Sequence, residues 1–164
     1  MSTSTAMTRR HFISLGKLEP HAPIRPPWSF SEDQFVVQCT QCGECIAACP
    51  ENILLRGNLA RYPKVDFSLG ECTFCHACVD ACPTQALDKR LAQPWQMKVT
   101  VGEACLARKQ VVCVVCSEQC ATRAIRFIAV AGRVSLPEIN MNSCTGCGAC
   151  VAPCPTRALE VTYE

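Results

Sequence analysis

Cys39-Thr40-Gln41-Cys42-Gly43-Glu44-Cys45-Ile46-Ala47-Ala48-Cys49-Pro50 decides the fold of this 164-residue chain. Its cysteines stand at C-x2-C-x2-C-x3-C-P spacing. The same spacing returns at Cys72, Cys75, Cys78 and Cys82 before Pro83, and at Cys144, Cys147, Cys150 and Cys154 before Pro155. A further group, Cys105, Cys113, Cys116 and Cys120, opens with seven residues where the others have two, and Ala121 replaces the proline. The first cysteines of successive groups are 33, 33 and 39 residues apart, so the chain is four copies of one supersecondary unit. All 16 cysteines fall within these groups.

The spacing carries its own chemistry. Three cysteines at x2 intervals in a tight loop wrap three irons of a cuboidal cluster, and the fourth directs its thiolate to a neighbouring cluster. Proline directly after the fourth cysteine suits the first turn of a helix, where its missing N–H costs nothing. Gly43, Ala77, Gly146 and Gly148 are small enough for backbone N–H groups to approach inorganic sulfide. Structural zinc sites bring two C-x2-C knuckles together across a dozen or more residues, a poor match to four ligands in eleven positions. A disulfide framework belongs to an oxidising compartment, whereas this cysteine density in a cytosolic chain points to metal.

Composition agrees. Cysteine makes up about one residue in ten, a fraction that marks a cysteine-built scaffold. With 11 prolines and 6% aromatics, one large core is not expected, and small units need a metal or disulfide staple. A net charge of +2 without a Lys/Arg cluster argues against nucleic acid as a partner. The longest apolar run, Val111 to Cys116, falls far short of the roughly 20 residues of a transmembrane helix. Thr8-Arg9-Arg10-His11-Phe12 looks like a twin-arginine export signal, but Leu15 to His21 is charged and proline-broken rather than apolar. A cytoplasmic location is the expectation.

The expected fold is α+β: two tandem small ferredoxin-like domains of β-α-β repeats, each built around two [4Fe–4S] clusters, after an extended N-terminal tail. Residues 1–33 are the tail, 34–90 the first domain and 91–164 the second. Strands are predicted at Phe35-Val36-Val37, Val65-Asp66-Phe67, Met97-Lys98-Val99-Thr100-Val101 and Val134-Ser135-Leu136, each before a cysteine loop. Short helices are predicted after each fourth cysteine: Glu51 to Leu55, Thr84 to Leu87, Thr122 to Ile125 and Thr156 to Leu159. Gln85 to Gln96 reads as the linker.

All sixteen cysteines are read as cluster ligands under either of two pairings. Sequential pairing groups Cys39, Cys42, Cys45 with Cys82; Cys72, Cys75, Cys78 with Cys49; Cys105, Cys113, Cys116 with Cys154; and Cys144, Cys147, Cys150 with Cys120. Nested pairing joins the first group to the fourth and the second to the third. The larger loop of the third group, carrying Arg108 and Lys109, either exposes its site or folds back to restore an ordinary one. His76 faces solvent or cluster sulfur, and Trp28 either docks a partner or packs on its own domain.

The Ile24-Arg25-Pro26-Pro27-Trp28-Ser29 lead-in and the C-x7-C group opened by Gly102-Glu103-Ala104-Cys105-Leu106-Ala107 are features that general ferredoxins lack. With them the chain resembles the NapF family, ferredoxin-type iron–sulfur accessory proteins of the periplasmic nitrate reductase system. The resemblance implies four [4Fe–4S] clusters, a cytoplasmic protein and contact with the nitrate reductase catalytic subunit before its export. It also implies a role in that subunit's maturation, through iron–sulfur or cofactor assembly, and that the arginine-bearing tail is not an export signal. The sequence has no G-x-G-x-x-G, Walker loop or nucleophile–base pair, so no enzyme is expected. An electron carrier needs the same sixteen cysteines and is the alternative; a zinc interaction module is the third class.

One expectation follows from charge alone. An oxidised [4Fe–4S] core with four thiolates carries about −2, so four sites take the sequence from +2 to about −6. Anaerobic holo-protein should therefore migrate as an acidic protein at neutral pH, well ahead of the apo chain. Equal mobilities, with four clusters confirmed by iron analysis, would overturn this accounting.

Overall fold

The computed structural model describes residues 23–57 and 61–163. The Arg9-Arg10 tail and His21 lie outside them. The elements in chain order are α1 (Glu32–Gln38), α2 (Glu44–Ala47), β1 (Leu54–Arg56), β2 (Pro63–Val65), α3 (Ala77–Asp80), β3 (Met97–Val101), α4 (Val115–Glu118), β4 (Ile125–Val130), β5 (Arg133–Ile139) and β6 (Leu159–Tyr163). They form three two-stranded antiparallel sheets, β1–β2, β3–β6 and β4–β5.

The sheets enclose the cysteine groups in order. β4 and β5 are the hairpin between the third and fourth groups. β3 pairs along its whole length with β6, Val99 opposite Val161, and closes around both groups. In the first unit β1 and β2 make the matching hairpin, with Leu54 opposite Val65. Its outer closure is a single bridge between Ser29 and Leu87.

Two sets of expected elements differ from the fold. Phe35-Val36-Val37 is helical, within α1, rather than a strand. Only Phe35 of the three is fully buried, while Val37 is 86% exposed, so no alternating face exists to hold a strand. Glu32 and Asp33 in the first turn favour the helix N-terminus. The helices expected after the fourth cysteines are instead turns, leading into strands in three groups and into the isolated bridge at Leu87 in the second. Helical turns α2, α3 and α4 lie one step earlier, each containing a third cysteine: Cys45, Cys78 or Cys116. The x3 gap is one helical turn, closed by bonds such as Cys82 N–H to the Val79 carbonyl at 3.1 Å. Beyond it the chain leaves the helix, because the next N–H groups turn back to sulfur: Ala124 N–H reaches Cys120 Sγ at 3.2 Å and Ala158 N–H reaches Cys154 Sγ at 3.3 Å. The expected strands over Met97 to Val101 and Val134 to Leu136 are present, and β2 ends at Val65 before Asp66.

One apolar core runs through both units, joining Phe35, Ile53 and Phe67 to Met97, Val99 and Val161. Residues 23–31, read from sequence as tail, pack along it. Trp28 is 6% exposed, and its N–H donates to the Pro94 carbonyl of the linker at 2.6 Å. Arg25 is the buried charge of this segment. Its Nε donates to Glu32 Oε2 at 2.8 Å and its Nη1 to the Pro63 carbonyl at 3.0 Å, while the guanidinium lies over the Phe35 and Tyr62 rings. No helix among the described residues is long and apolar enough to cross a membrane.

Arg25→Met should therefore destabilise the holo-protein by about 2–3 kcal/mol, the sum of a charged hydrogen-bond set and a desolvated cation–π contact. Arg90→Met, which breaks a pair with Asp88 whose guanidinium stands in solvent, should leave stability almost unchanged. Anaerobic thermal unfolding of the two variants checks the contrast.

Candidate metal centres

In two pockets the cysteines converge as three from one group plus the last of its partner. One pocket is lined by Cys39, Cys42, Cys45 and Cys82, walled by Phe35 and Leu87. A second is lined by Cys105, Cys113, Cys116 and Cys154, walled by Val101, Phe127 and Leu159. Electrostatic contacts give the same grouping elsewhere. Burial pushes the Cys72 thiol up to about 11, with Cys75 and Cys49 adding to the rise. Burial pushes Cys78 up to about 12, helped by Cys72, Cys45, Cys75 and Cys49. Cys150 rises to about 12, through burial first and then Cys147, with Cys116 and Cys144 contributing. In the two pockets and in the Cys72 neighbourhood this is the sequential arrangement, not the nested one.

In three of the four groups the third cysteine is the deepest. Cys45, Cys78 and Cys150 are buried, and burial raises the Cys45 and Cys116 thiols to about 11. A thiolate at such a position requires a cation beside it. Among the described residues no three His, Cys, Asp or Glu side chains close on a single ion. Four thiols ringing a pocket wider than one ion suit a polynuclear cluster better than zinc.

Backbone handedness makes the same point independently of the thiols. Residues at positive φ recur two and four places after the first cysteine. They are Gln41 and Gly43 in the first group, Phe74 and His76 in the second, and Gly146 and Gly148 in the fourth. Alternation of right- and left-handed residues turns successive N–H groups to one side, forming the anion-binding concavity found at many iron–sulfur sites. Phe74 and His76 adopt this conformation at a cost of roughly 1–2 kcal/mol each, having no glycine's freedom. Sequence reading found the glycines and missed Gln41, Phe74 and His76; the positional match to Gly146 and Gly148 is the signal that finds them. His76 is half-buried and stacks on Trp28 with ring centroids 4.2 Å apart. Trp28 is thus occupied within its own chain.

The third group reaches the same end differently. Its seven-residue loop folds back, with Lys109 N–H bonded to the Leu106 carbonyl at 2.9 Å and Val111 N–H to the same carbonyl at 2.9 Å. Ala107 is fully buried and Gln110 takes the left-handed turn. Its four cysteines are all half-buried, none exposed as Cys42 and Cys75 are and none buried as Cys45, Cys78 and Cys150 are.

A threonine follows the fourth cysteine by two residues in three groups, placing Oγ1 3.7 Å from Cys82 Sγ, 3.5 Å from Cys120 Sγ and 3.8 Å from Cys154 Sγ. At Cys120 burial raises the thiol, but hydrogen bonds from Thr122 and from backbone N–H groups together outweigh it and hold the thiol below its ordinary value. Cys154 is lowered in the same way, burial being outweighed by the Ala158 and Thr156 donors. At the first group the equivalent position is Glu51.

Residues 38–87 match the family model described as a 4Fe-4S dicluster domain, and residues 137–160 match a 4Fe-4S binding domain. The ferredoxin-type protein NapF of Haemophilus influenzae is 45% identical over 138 residues, covering 84% of this chain and 78% of the relative. That of Escherichia coli K12 is 44% identical over 140 residues, covering 85% of each. The methylamine utilization ferredoxin-type protein MauM of Methylorubrum extorquens is 32% identical, across 86% of this chain and 71% of the relative. With its two 4Fe–4S ferredoxin-type domains and this degree of identity, the chain belongs to the NapF family of ferredoxin-type proteins.

Proposed function

We propose that the chain holds four [4Fe–4S] clusters and acts in the cytoplasm as an accessory protein to the catalytic subunit of periplasmic nitrate reductase, before that subunit's export. Its task is maturation, assisting iron–sulfur or cofactor assembly. The ligand sets are site I, Cys39, Cys42, Cys45 and Cys82; site II, Cys72, Cys75, Cys78 and Cys49; site III, Cys105, Cys113, Cys116 and Cys154; and site IV, Cys144, Cys147, Cys150 and Cys120. Sites I and II belong to a domain spanning 34–90 and sites III and IV to one spanning 91–164. The observation that carries the reading is the three-plus-one convergence of cysteines in two separate pockets. Each cluster supplies one-electron chemistry; the chain supplies thiolates, inward N–H groups and apolar walls.

A second reading, an electron carrier serving a redox partner, is favoured by the closeness of sites I and II, where Cys45 acts on the Cys78 thiol. An anaerobic pull-down against the unexported catalytic subunit, followed by iron analysis of its initially apo form, separates the two. Maturation predicts complex formation and gain of iron by the subunit. Retention of all iron with electron delivery to a partner establishes the carrier instead.

The threonine contacts generate a second expectation. Thr122→Val should lower the reduction potential of site IV by about 20–60 mV, the equivalent of one lost hydrogen bond to the more negative reduced site. Thr122→Ser should leave it near the parent value. Anaerobic potentiometric titration followed by electron paramagnetic resonance reads both.

A further inference from the structure

The two domains meet at their cysteine loops. The N–H of Cys72, first cysteine of the second group, donates to the carbonyl of Cys147, second cysteine of the fourth, at 2.8 Å. The loop around Cys147 is closely fitted, Gly148 against Phe67 of the first domain and Gly146 against Trp95 and Met97 of its own. A Cβ on Gly148 would collide with the Phe67 ring, and one on Gly146 would come within 3.0 Å of Met97 Cβ and 3.2 Å of Trp95 Nε1. Trp95 Nε1–H donates to the Thr145 carbonyl at 3.1 Å. The Trp95 ring meets both Phe67 and Phe74 edge-on, with centroids 5.8 Å apart in each case. Cys147 also bears electrostatically on the Cys72 thiol. Linked domains that merely share a tether would not bury a glycine of one cysteine loop against an aromatic ring of the other domain.

We infer that sites II and IV are the inner pair of one continuous four-site chain in the order I–II–IV–III, and that the bare backbone of Gly148 against Phe67 sets their approach. The inference rests on the four-cluster reading above and adds the connection between domains. It makes sites I and III the two ends, where electrons enter or leave. Within the first domain the step from I to II runs through the touching turns α2 and α3, which carry Cys45 and Cys78, and within the second Cys154 of the fourth group lines the pocket of site III. The Cys72–Cys147 bond is the crossing between them.

Fully reduced anaerobic holo-protein should show magnetic spin–spin interaction across the domain boundary. Trp95→Phe, which removes the indole N–H bond to the Thr145 carbonyl and lies outside the cysteine loops, should diminish that interaction and the protection of the Cys72 amide from hydrogen exchange, with iron content unchanged. Phe67→Leu, which removes the ring that Gly148 and Trp95 pack against, should act in the same direction. Four clusters with an unchanged spin–spin interaction, once loss of Cys72 amide protection shows the loop has moved, would overturn the inference and leave the four-cluster reading standing. Fewer than four clusters by iron analysis of the parent protein would overturn both.

Discussion

A thiolate buried in an apolar pocket needs a positive charge at bonding distance, and nearly everything in this chain is arranged around that need. Cys45, Cys78 and Cys150 sit where burial, helped by neighbouring cysteines, raises a thiol to about 11 or 12. The side chains that would form an ordinary core are instead the walls of the cysteine pockets: Phe35 and Leu87 around one, Phe127 and Leu159 around another. Packing and metal binding are therefore one process here, and the secondary structure is short because it serves mainly to carry cysteines.

The left-handed residues show how far the backbone yields to the site. Phe74 and His76 take conformations that glycine adopts freely, and the surroundings hold them there. Phe74 is clamped edge-on between Trp28 and Trp95, and His76 is stacked on Trp28. Four of the chain's ten aromatic residues, Trp28, Phe67, Phe74 and Trp95, meet at this point, where the two domains also meet. Strain at the second cysteine loop and contact between domains are thus stabilised by the same rings.

Much of the architecture was legible in the cysteine spacing because thiolate geometry tolerates few alternatives. The Met97 to Val101 strand was legible because Met97 and Val99 alternate with Lys98 and Thr100. What escaped was decided by tertiary contact. Val36 and Val37 favour a strand, yet Phe35 alone anchors that segment and Val37 stands in solvent. The helical turns were expected one step too late, since spacing does not reveal that Cys120 and Cys154 sulfurs capture the N–H groups a helix would use. Pairing of the groups was left open by sequence because both schemes use the same residues; it depends on which strands close, and β3 with β6 encloses the last two groups.

The Arg25 N–H donates to the hydroxyl of Tyr163 at 2.8 Å, so the lead-in to the first domain is tied to the final strand of the second. During synthesis the ribosome releases the first two cysteine groups long before Tyr163 exists. The β1–β2 hairpin and the Ser29–Leu87 bridge can form at once, whereas the Arg25 latch waits for β6 to align beside β3. Until then the outer strap of the first domain is only half-fastened, for the 76 residues of translation that separate Leu87 from Tyr163.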